Sequence, residues 1–255
     1  MKGLHYEVHP GSGSPLLLVH GFLSSRAQWQ FNLEVLSEVC TPVTVELYGH
    51  GRSPSPEDTE SYLPGSYVRE FDAIRQAIGA EAWFLCGYSL GAGLTIRYAY
   101  EYPEQTIAHI FTNSTSAFSS RPEVRPAEEI IERFKEGGLD AIEQIPVHPK
   151  YAKRLPEKIK KLLVADSRLI DPEGIGRNVA YTSSTISVRD ELHRNTRPAL
   201  LICGKEEKRF QVYRDYVESN MPNTSLIDLP GGHAVNMECS ELFNSSVADF
   251  IKQNS

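Results

Sequence analysis

The sequence predicts an α/β fold, in which a mostly parallel sheet is covered by helices on both faces and interrupted by a helical insertion. Short apolar runs rich in β-branched residues alternate with longer segments of helical periodicity. Such near-continuous apolar runs are typical of parallel strands that are buried on both faces. The chain has 255 residues, which suits one large domain, and its strand pattern disappears between residues 117 and 195.

The first half of the chain contains most of the predicted strands. Strands are predicted at 4–9, 16–20, 41–47, 83–87 and 106–114, and helices at 25–39, 65–79 and 90–103. The turn PGSGSP between the first two strands predicts a hairpin. Gly79 is placed to end the second of these helices.

The strand pattern resumes after residue 195. Strands are predicted at 198–204 and 224–230, and helices at 210–220 and 239–253. Because crossovers between parallel strands are right-handed, the carboxyl ends of the strands meet along one edge, where such sheets bind ligands. We therefore expect a core domain of residues 1–116 and 196–255, with residues 117–195 forming a helical cap over that edge.

Composition limits the possible function classes. The net charge of −7 argues against a nucleic-acid partner. Neither a signal-peptide pattern nor an apolar run near the ~20 residues of a membrane span is present, so we expect a cytoplasmic protein without a membrane partner. The four cysteines form no zinc-type spacing and are expected to be buried thiols. The basic stretch at 150–161 is interpreted as a solvated helix face, with mild steering of anionic substrates as the alternative.

The stretch Gly87-Tyr88-Ser89-Leu90-Gly91 has the pattern G-x-S-x-G between a predicted strand and a predicted helix. A turn this tight forces Ser89 into strained backbone angles and brings Gly87 and Gly91 so close that only glycine fits. The hydroxyl of Ser89 would then project from the sheet edge as a nucleophile. The alternative, a glycine-rich helix cap without chemistry, is less consistent with the flanking strand and helix.

A serine nucleophile needs a base, and His233 is the best placed of the eight histidines. It follows the last predicted strand on a loop that Gly231 and Gly232 make pliable, and this loop emerges at the same edge as Ser89. His20 and His50 also follow strands, so proximity alone would nominate them as well.

The base needs an orienting carboxylate, and the loop after strand 198–204 offers Glu206 and Glu207. Both alternatives are open, and we favour Glu207. The backbone amides of Phe22 and Leu90 are candidates for an oxyanion hole.

Within the insertion and its flanks, aromatic side chains are candidate walls of a substrate pocket or simple packing residues. They are Phe118, Phe134 and Tyr181.

Together these features resemble the α/β-hydrolase family. The resemblance rests on His20-Gly21-Phe22, on Gly49-His50-Gly51-Arg52-Ser53, on the Ser89 motif and on Gly232-His233, which occur in the family's order. It implies Ser89 as nucleophile, His233 as base, hole amides at residues 22 and 90, and a helical cap. It also implies that His20 and His50 stabilise loops near the site.

Two positions depart from the family pattern, and one feature narrows the chemistry. Glu207 stands at the third position after Gly204, where the family usually has Asp, which favours Glu207 over Glu206. Glu46 stands where an Asp is common. A serine nucleophile argues against the dehalogenases and epoxide hydrolases of the family, in which a carboxylate attacks. The strand end Thr112-Asn113-Ser114 is similar to that of enol-lactonases and related carboxylesterases.

The expected activity is therefore hydrolysis of a small-molecule carboxylic ester or lactone through an acyl-enzyme, without a metal or organic cofactor. Cleavage of a C–C, thioester or amide bond by the same residues is the first alternative. A ligand receptor on a hydrolase scaffold is the second, since a fold does not fix a function.

Overall fold

The computed structural model describes residues 3–120 and 125–255, so residues 121–124 of the predicted insertion lie outside it. Within these ranges a seven-stranded sheet has the order β1-β3-β2-β4-β5-β6-β7. Its strands are β1 (Tyr6–Val8), β2 (Pro15–Val19), β3 (Thr41–Val45), β4 (Trp83–Gly87), β5 (Thr106–Thr112), β6 (Ala199–Gly204) and β7 (Thr224–Leu229). β1 is antiparallel to β3, and every other pair is parallel. The predicted α/β fold is confirmed.

The helices follow the predicted alternation with the strands. They are α1 (Leu33–Leu36), α2 (Pro64–Ala77), α3 (Leu90–Glu101), α4 (Thr115–Phe118), α5 (Ala127–Glu143), α6 (Glu157–Asp166), α7 (Pro172–Arg177), α8 (Gln211–Asn220), α9 (Val235–Glu238) and α10 (Ser240–Asn254). The shorter 3₁₀ turns span Arg26–Trp29, Thr59–Tyr62, Pro103–Gln105, Pro149–Tyr151, Ser167–Leu169 and Arg189–Arg194, and a π-helical turn spans Asn178–Ser183.

Two apolar layers cover the sheet because successive residues of a strand point to opposite faces. Leu16 and Leu18 of β2 belong to the layer that contains α10, whereas Leu17 and Val19 belong to the layer that contains α2 and α3. All four side chains are fully buried. The centre of the sheet is therefore packed on both faces, and the loops at its carboxyl edge begin from these buried strands.

The predicted hairpin between the first two strands is wrong. β1 pairs with β3, with Tyr6 opposite Val45, and β2 lies between β3 and β4. Both edges of β2 are thus occupied, which leaves no position beside it for β1. The connecting loop packs instead on the chain before β3, where a side chain on Gly11 would come within 2.2 Å of the Cys40 carbonyl oxygen.

The predicted helix at 25–39 is divided in two. A 3₁₀ turn at Arg26–Trp29 is followed by the short α1. Between them, the buried Asn32 donates its side-chain amide to the backbone oxygen of Asn236 and to the side chain of Asn244. A buried amide needs such partners, and the contact with the chain around α9 and α10 overrides the local helical periodicity.

The end of α2 agrees with the prediction. Gly79 has a φ of +70°, its amide bonds to Gln76, and the amide of Ala80 reaches back to Arg75. This double hydrogen bond satisfies the last carbonyls of the helix and requires the left-handed conformation that glycine adopts readily.

The described residues between β5 and β6 form helices and no strand. Part of this segment packs on the core through an apolar cluster in which Phe134 and Ile175 meet Leu23 of the loop after β2. A second contact comes from Ile159 and Leu163 of α6, which join the layer beneath α10. The segment is therefore docked on the core by two sets of apolar contacts, one from α5 and α7 and one from α6.

Cys40, Cys86 and Cys203 are free and buried, as predicted, and Cys239 is half-buried. In the part of the chain that the structure describes, no helix is long and apolar enough to cross a bilayer. No cluster of three or more metal-ligating side chains occurs within residues 3–120 and 125–255.

Three histidines are fully buried, and we expect them to make stability depend on pH. Burial lowers the pKa of His20 and His109 to about 4 and that of His50 to about 3, from 6.5. Between pH 6.5 and about 4 the unfolded chain binds protons that the folded chain does not, so the free energy of unfolding falls as pH falls.

His109→Gln tests this dependence away from the carboxyl edge of the sheet. His109 contacts Asn195, which lies just before the first residue of β6. In the variant, the free energy of unfolding is expected to depend less steeply on pH, by about 1.4 kcal/mol per pH unit, because one titrating group is absent. Urea unfolding at pH 7, 6 and 5 measures both slopes. Equal slopes for the variant and the unmodified protein would contradict the expectation.

Candidate active site

Ser89 lies at the sharp turn between β4 and α3. Its backbone has φ 52° and ψ −114°, a conformation that costs a non-glycine residue of order 1–3 kcal/mol. The side chain makes no capping hydrogen bond to α3, which disfavours the interpretation of Ser89 as a helix cap. Strain of this kind persists when the surrounding structure holds it, and it directs the hydroxyl away from the helix.

The glycines around Ser89 have the predicted steric role. A Cβ at Gly87 would lie 2.4 Å from the carbonyl oxygen of Gly91, and a Cβ at Gly91 would lie 2.4 Å from that of Val19. Both contacts are with backbone, so neither can be relieved by moving a side chain. The sequence also predicts close packing of α3 against the sheet at Gly93, but a Cβ there would instead meet Ile186 of the segment between β5 and β6.

The structure brings Ser89, His233 and Glu207 into one hydrogen-bonded chain. His233 Nε2 lies 3.0 Å from Ser89 Oγ, and His233 Nδ1 lies 2.9 Å from Glu207 Oε2. A carboxylate only accepts, so Nδ1 donates to it and Nε2 is left to accept from the serine hydroxyl. The ring of Tyr88 packs edge-on against the imidazole at 5.3 Å. This tautomer and orientation are those of a general base.

The geometry separates the two candidate carboxylates. Glu207 faces His233, whereas Glu206 turns away and forms an ion pair with Arg154 at 2.6 Å. Burial opposes ionisation of Glu207, but hydrogen bonds from His233 and Asn113 outweigh it and hold the pKa of the carboxyl below its ordinary value. Glu207 is therefore the carboxylate that can orient His233 and stay charged.

Asn113 is a residue of the site that the sequence did not reveal as functional. It is fully buried after β5, and its side-chain amide donates to Glu207 Oε2 at 2.6 Å and to the Gly204 carbonyl at 3.2 Å. Its oxygen accepts from the Gly204 amide at 3.0 Å. Asn113 thus fixes both the end of β6 and the carboxylate that follows it, a role that the resemblance at Thr112-Asn113-Ser114 did not assign.

Asn113→Ala is expected to lower kcat for the reaction proposed below by at least ~10-fold, since a hydrogen bond to a charged group contributes roughly 1.5–3 kcal/mol. Asn113→Asp is expected to be worse, because a second carboxylate beside Glu207 raises the pKa of that side chain. Steady-state rates from pH 5 to pH 9 measure both effects. An alanine variant with the rate of the unmodified protein would contradict a supporting role for Asn113.

Two backbone amides are free to receive a negative charge beside Ser89. Phe22 and Leu90 both line the cavity at Ser89, and neither amide donates to an acceptor among the residues that the structure describes. The loop that carries Phe22 is held from behind, because Gln28 accepts from the Gly21 amide at 3.3 Å and His50 accepts from the Leu23 amide at 3.2 Å.

The side chains of His20 and His50 form hydrogen bonds with backbone groups and not with Ser89. His20 Nε2 accepts from the Leu47 amide at 3.0 Å, while its Nδ1 donates to the Gly21 carbonyl at 2.7 Å. His50 Nδ1 donates to the Tyr48 carbonyl at 3.1 Å. The low pKa values that burial gives both rings keep them neutral, as these donor and acceptor roles require.

Ser89 and His233 open into a cavity of ≈ 750 Å³. Its apolar lining comes from both the core and the segment between β5 and β6: Phe22, Val147, Leu155, Leu163, Val179 and Met237. Arg154 and Glu238 lie at the same cavity and form an ion pair at 2.7 Å. The cavity is thus largely apolar, and Ser89, Glu207 and His233 are among its lining residues.

The sequence profile of the alpha/beta hydrolase fold matches residues 14–239. The chain belongs to the alpha/beta hydrolase fold family. The resemblance inferred from the sequence motifs is confirmed, and the match covers all seven strands except β1.

A curated relative of this alpha/beta hydrolase spans nearly its whole length. The "Putative 2-succinyl-6-hydroxy-2,4-cyclohexadiene-1-carboxylate synthase" of Bacillus subtilis (strain 168) is 24% identical, with 98% of this chain and 95% of the relative aligned. Among solved structures, the enol-lactonase from Burkholderia xenovorans LB400 has a TM-score of 0.81 at 17% identity, covering 98% of this chain and 96% of that one. The esterase from Exiguobacterium antarcticum has a TM-score of 0.80 at 19% identity, covering 98% and 95%. At these identities the two structures show a shared fold.

The predicted aromatic walls lie elsewhere in this hydrolase. Phe118 is fully buried between Phe111 and Phe210, and Phe134 packs in the cluster that docks the helical segment on the core. Tyr181 packs against the layer that contains α2 and α3. None of the three lines the cavity at Ser89. Which face of an insertion helix meets the cavity depends on how the helices dock, and the sequence alone did not determine this.

Proposed function

We propose that this alpha/beta hydrolase cleaves a carboxylic ester or lactone through an acyl-enzyme formed on Ser89. The observation that carries the proposal is the continuous hydrogen-bonded chain from Ser89 through His233 to Glu207, beside the amides of Phe22 and Leu90, which have no acceptor within residues 3–120 and 125–255. These parts are the nucleophile, the base, its orienting acid and an oxyanion site that acyl transfer requires.

The first half-reaction forms the acyl-enzyme. His233 Nε2 takes the Ser89 proton while Oγ attacks the carbonyl carbon, and the amides of Phe22 and Leu90 hold the resulting oxyanion. Glu207 stabilises the imidazolium that forms. The carbon–oxygen bond to the leaving group then breaks, and His233 gives its proton to the departing alkoxide. A lactone keeps its leaving hydroxyl attached to the acyl chain.

The second half-reaction releases the acid. His233 takes a proton from a water molecule, the hydroxide attacks the acyl carbon, and the same two amides hold the second oxyanion. The proton returns to Ser89 as the ester bond to its oxygen breaks. Every proton that moves passes through His233, so none of these steps calls for a metal or an organic cofactor.

We further propose that residues 117–195 act as a cap that selects the substrate. Val147, Leu155 and Val179 belong to this segment and line the cavity beside core residues. The apolar lining suits an uncharged acyl group. Arg154 is an unsuitable anchor for a substrate carboxylate, because Glu206 and Glu238 already pair with it.

The name of the Bacillus subtilis relative raises a second candidate, a synthase reaction that yields a cyclohexadiene carboxylate. The length of the match favours this candidate, and the same Ser89–His233 pair could move the required protons. Cleavage of a C–C, thioester or amide bond is a further variation on the same residues. The apolar residues that make up most of the cavity lining favour the uncharged ester or lactone.

A panel of p-nitrophenyl esters, aliphatic lactones, acyl thioesters and anilides tests the proposal. We expect turnover of esters or lactones, together with stoichiometric labelling of Ser89 by a fluorophosphonate. If the protein turned over only thioesters or only anilides, the substrate class would be thioesters or amides and not esters or lactones. A protein that neither turns over any member of the panel nor takes the label would contradict acyl transfer on Ser89.

A further inference from the structure

Glu238, at the end of α9, holds the loop of His233 from both sides. Its Oε2 accepts from the Gly232 amide at 2.9 Å, and its Oε1 accepts from the Ala234 amide at 3.3 Å. The two amides flank His233, so one carboxylate spans the residue that the proposed mechanism uses as base. The Glu238 side chain is only 9% exposed, which strengthens these charge-assisted bonds.

The same carboxylate is tied to the helical segment between β5 and β6. Arg154 comes from the loop between the 3₁₀ turn at Pro149–Tyr151 and α6, and its Nε lies 2.7 Å from Glu238 Oε2. Its Nη1 lies 2.6 Å from Glu206, the neighbour of Glu207. One guanidinium therefore joins the helical segment to the loop of the base and to the loop of the acid.

We propose that Glu238, held by Arg154, is a positioning residue for His233, an inference that rests on the proposed function. The loop at His233 begins with Gly231 and Gly232, which restrain the backbone weakly on their own. Two amides fixed to one carboxylate remove this freedom and set the imidazole between Ser89 and Glu207. Docking of the helical segment then becomes part of the alignment of the base, because Arg154 supplies the charge that keeps Glu238 in place.

Alternative partners do not replace these contacts. Glu238 is the side chain that accepts from Gly232 and Ala234 among the described residues, and Arg154 is its cationic partner there. Glu206 offers a matched comparison, since it pairs with the same Arg154 but contacts neither amide. We call the two hydrogen bonds from Gly232 and Ala234 to Glu238 the clamp. Removing the charge of Glu206 weakens the pairing of Arg154 but leaves the clamp, whereas removing the charge of Glu238 affects both.

The test compares Glu238→Gln, Glu238→Ala and Arg154→Met with the control Glu206→Gln. A misplacement of about 1 Å costs up to ~100-fold in rate, so we expect Glu238→Ala to lower kcat by about 10- to 100-fold with KM within about twofold. Glu238→Gln keeps one of the two acceptor oxygens, so its kcat is expected to lie between that of Glu238→Ala and that of the unmodified protein. Arg154→Met is expected to lose about 3- to 10-fold, and adding it to Glu238→Ala should cost nothing more, because both act through one clamp.

Hydrogen exchange provides a readout that does not depend on catalysis. The amides of Gly232 and Ala234 should exchange at least ~10-fold faster in Glu238→Ala, while amides of the central strands keep their rates. Glu206→Gln should leave both amides and kcat near their original values. Thermal melting of each variant separates this local effect from general unfolding.

The outcomes distinguish this proposal from the proposed function. Unchanged kcat or unchanged exchange at Gly232 and Ala234 in Glu238→Ala overturns the positioning role, as does a loss confined to KM or an equal loss in Glu206→Gln. If the unmodified protein neither turns over esters nor takes a fluorophosphonate, the proposed function fails. Exchange at the two amides then still decides whether Glu238 clamps the loop.

Discussion

Ser89→Ala is expected to lower kcat for ester hydrolysis by about 10⁶-fold, the order of loss that removal of the nucleophile causes when serine, histidine and acid act as a unit. No other hydroxyl is bonded to His233 among the described residues, so the reaction has no substitute nucleophile. Alanine is as strained as serine at φ 52°, and the turn should therefore survive the substitution. Labelling by a fluorophosphonate should disappear together with turnover.

The control for this variant is Ser246→Ala on α10, where the serine hydroxyl donates to the Leu242 carbonyl in the same helix. It should keep its rate and its labelling. Rates are compared in single-turnover mode with p-nitrophenyl acetate, with melting temperature as a check on folding. A Ser89→Ala protein that still forms an acyl-enzyme would place the nucleophile at another residue.

Glu207→Gln is expected to lower kcat by about 10⁴-fold, the order of loss seen when an orienting carboxylate becomes an amide. The amide introduced by this substitution can donate to His233 Nδ1, which would then carry no proton of its own. The ring proton would lie on Nε2, and Nε2 could no longer accept the Ser89 proton. Glu206→Gln should change kcat by less than about threefold, since a half-exposed ion pair with Arg154 contributes little.

The two glutamine variants also differ in their response to pH. In the folded protein the pKa of Glu207 lies below its ordinary value. The carboxylate charge that orients His233 is therefore present when the pH is above this lowered pKa, and it is lost as the pH falls through it. Rates of Glu206→Gln should therefore keep the acid limb of the unmodified protein. A large loss at position 206 with little at 207 would reverse the assignment of the acid.

Local patterns were sufficient for much of the fold. The strands β4 and β6 and the helices α2, α3, α8 and α10 agree with the sequence to within a few residues, because their apolar periodicity is strong. The hairpin failed for the opposite reason. Whether β2 pairs with its neighbour in sequence or with β3 and β4 is decided by contacts that no short window contains.

The site shows the same division between local and distant information. Ser89 was marked by its own turn, and His233 by its place after the last strand. The sequence favoured Glu207 over Glu206, and the positions of Arg154 and His233 on either side of the loop agree with that choice. The resemblance at Thr112-Asn113-Ser114 assigned Asn113 no role, and the cavity walls depended on how distant helices dock, so neither function could be inferred from residue types alone.

The register of β5 and β6 has a consequence for synthesis of the chain. These neighbouring strands are separated by the whole helical segment, since β5 ends at Thr112 and β6 begins at Ala199. Domains emerge from the ribosome N-terminal end first, so the turn of Ser89 is made long before the residues that would activate it. A nascent chain that has reached residue 198 contains a serine with neither Glu207 nor His233. Under the proposed mechanism, Ser89 therefore gains its acid and its base only when the last two strands and the loops that follow them have been added.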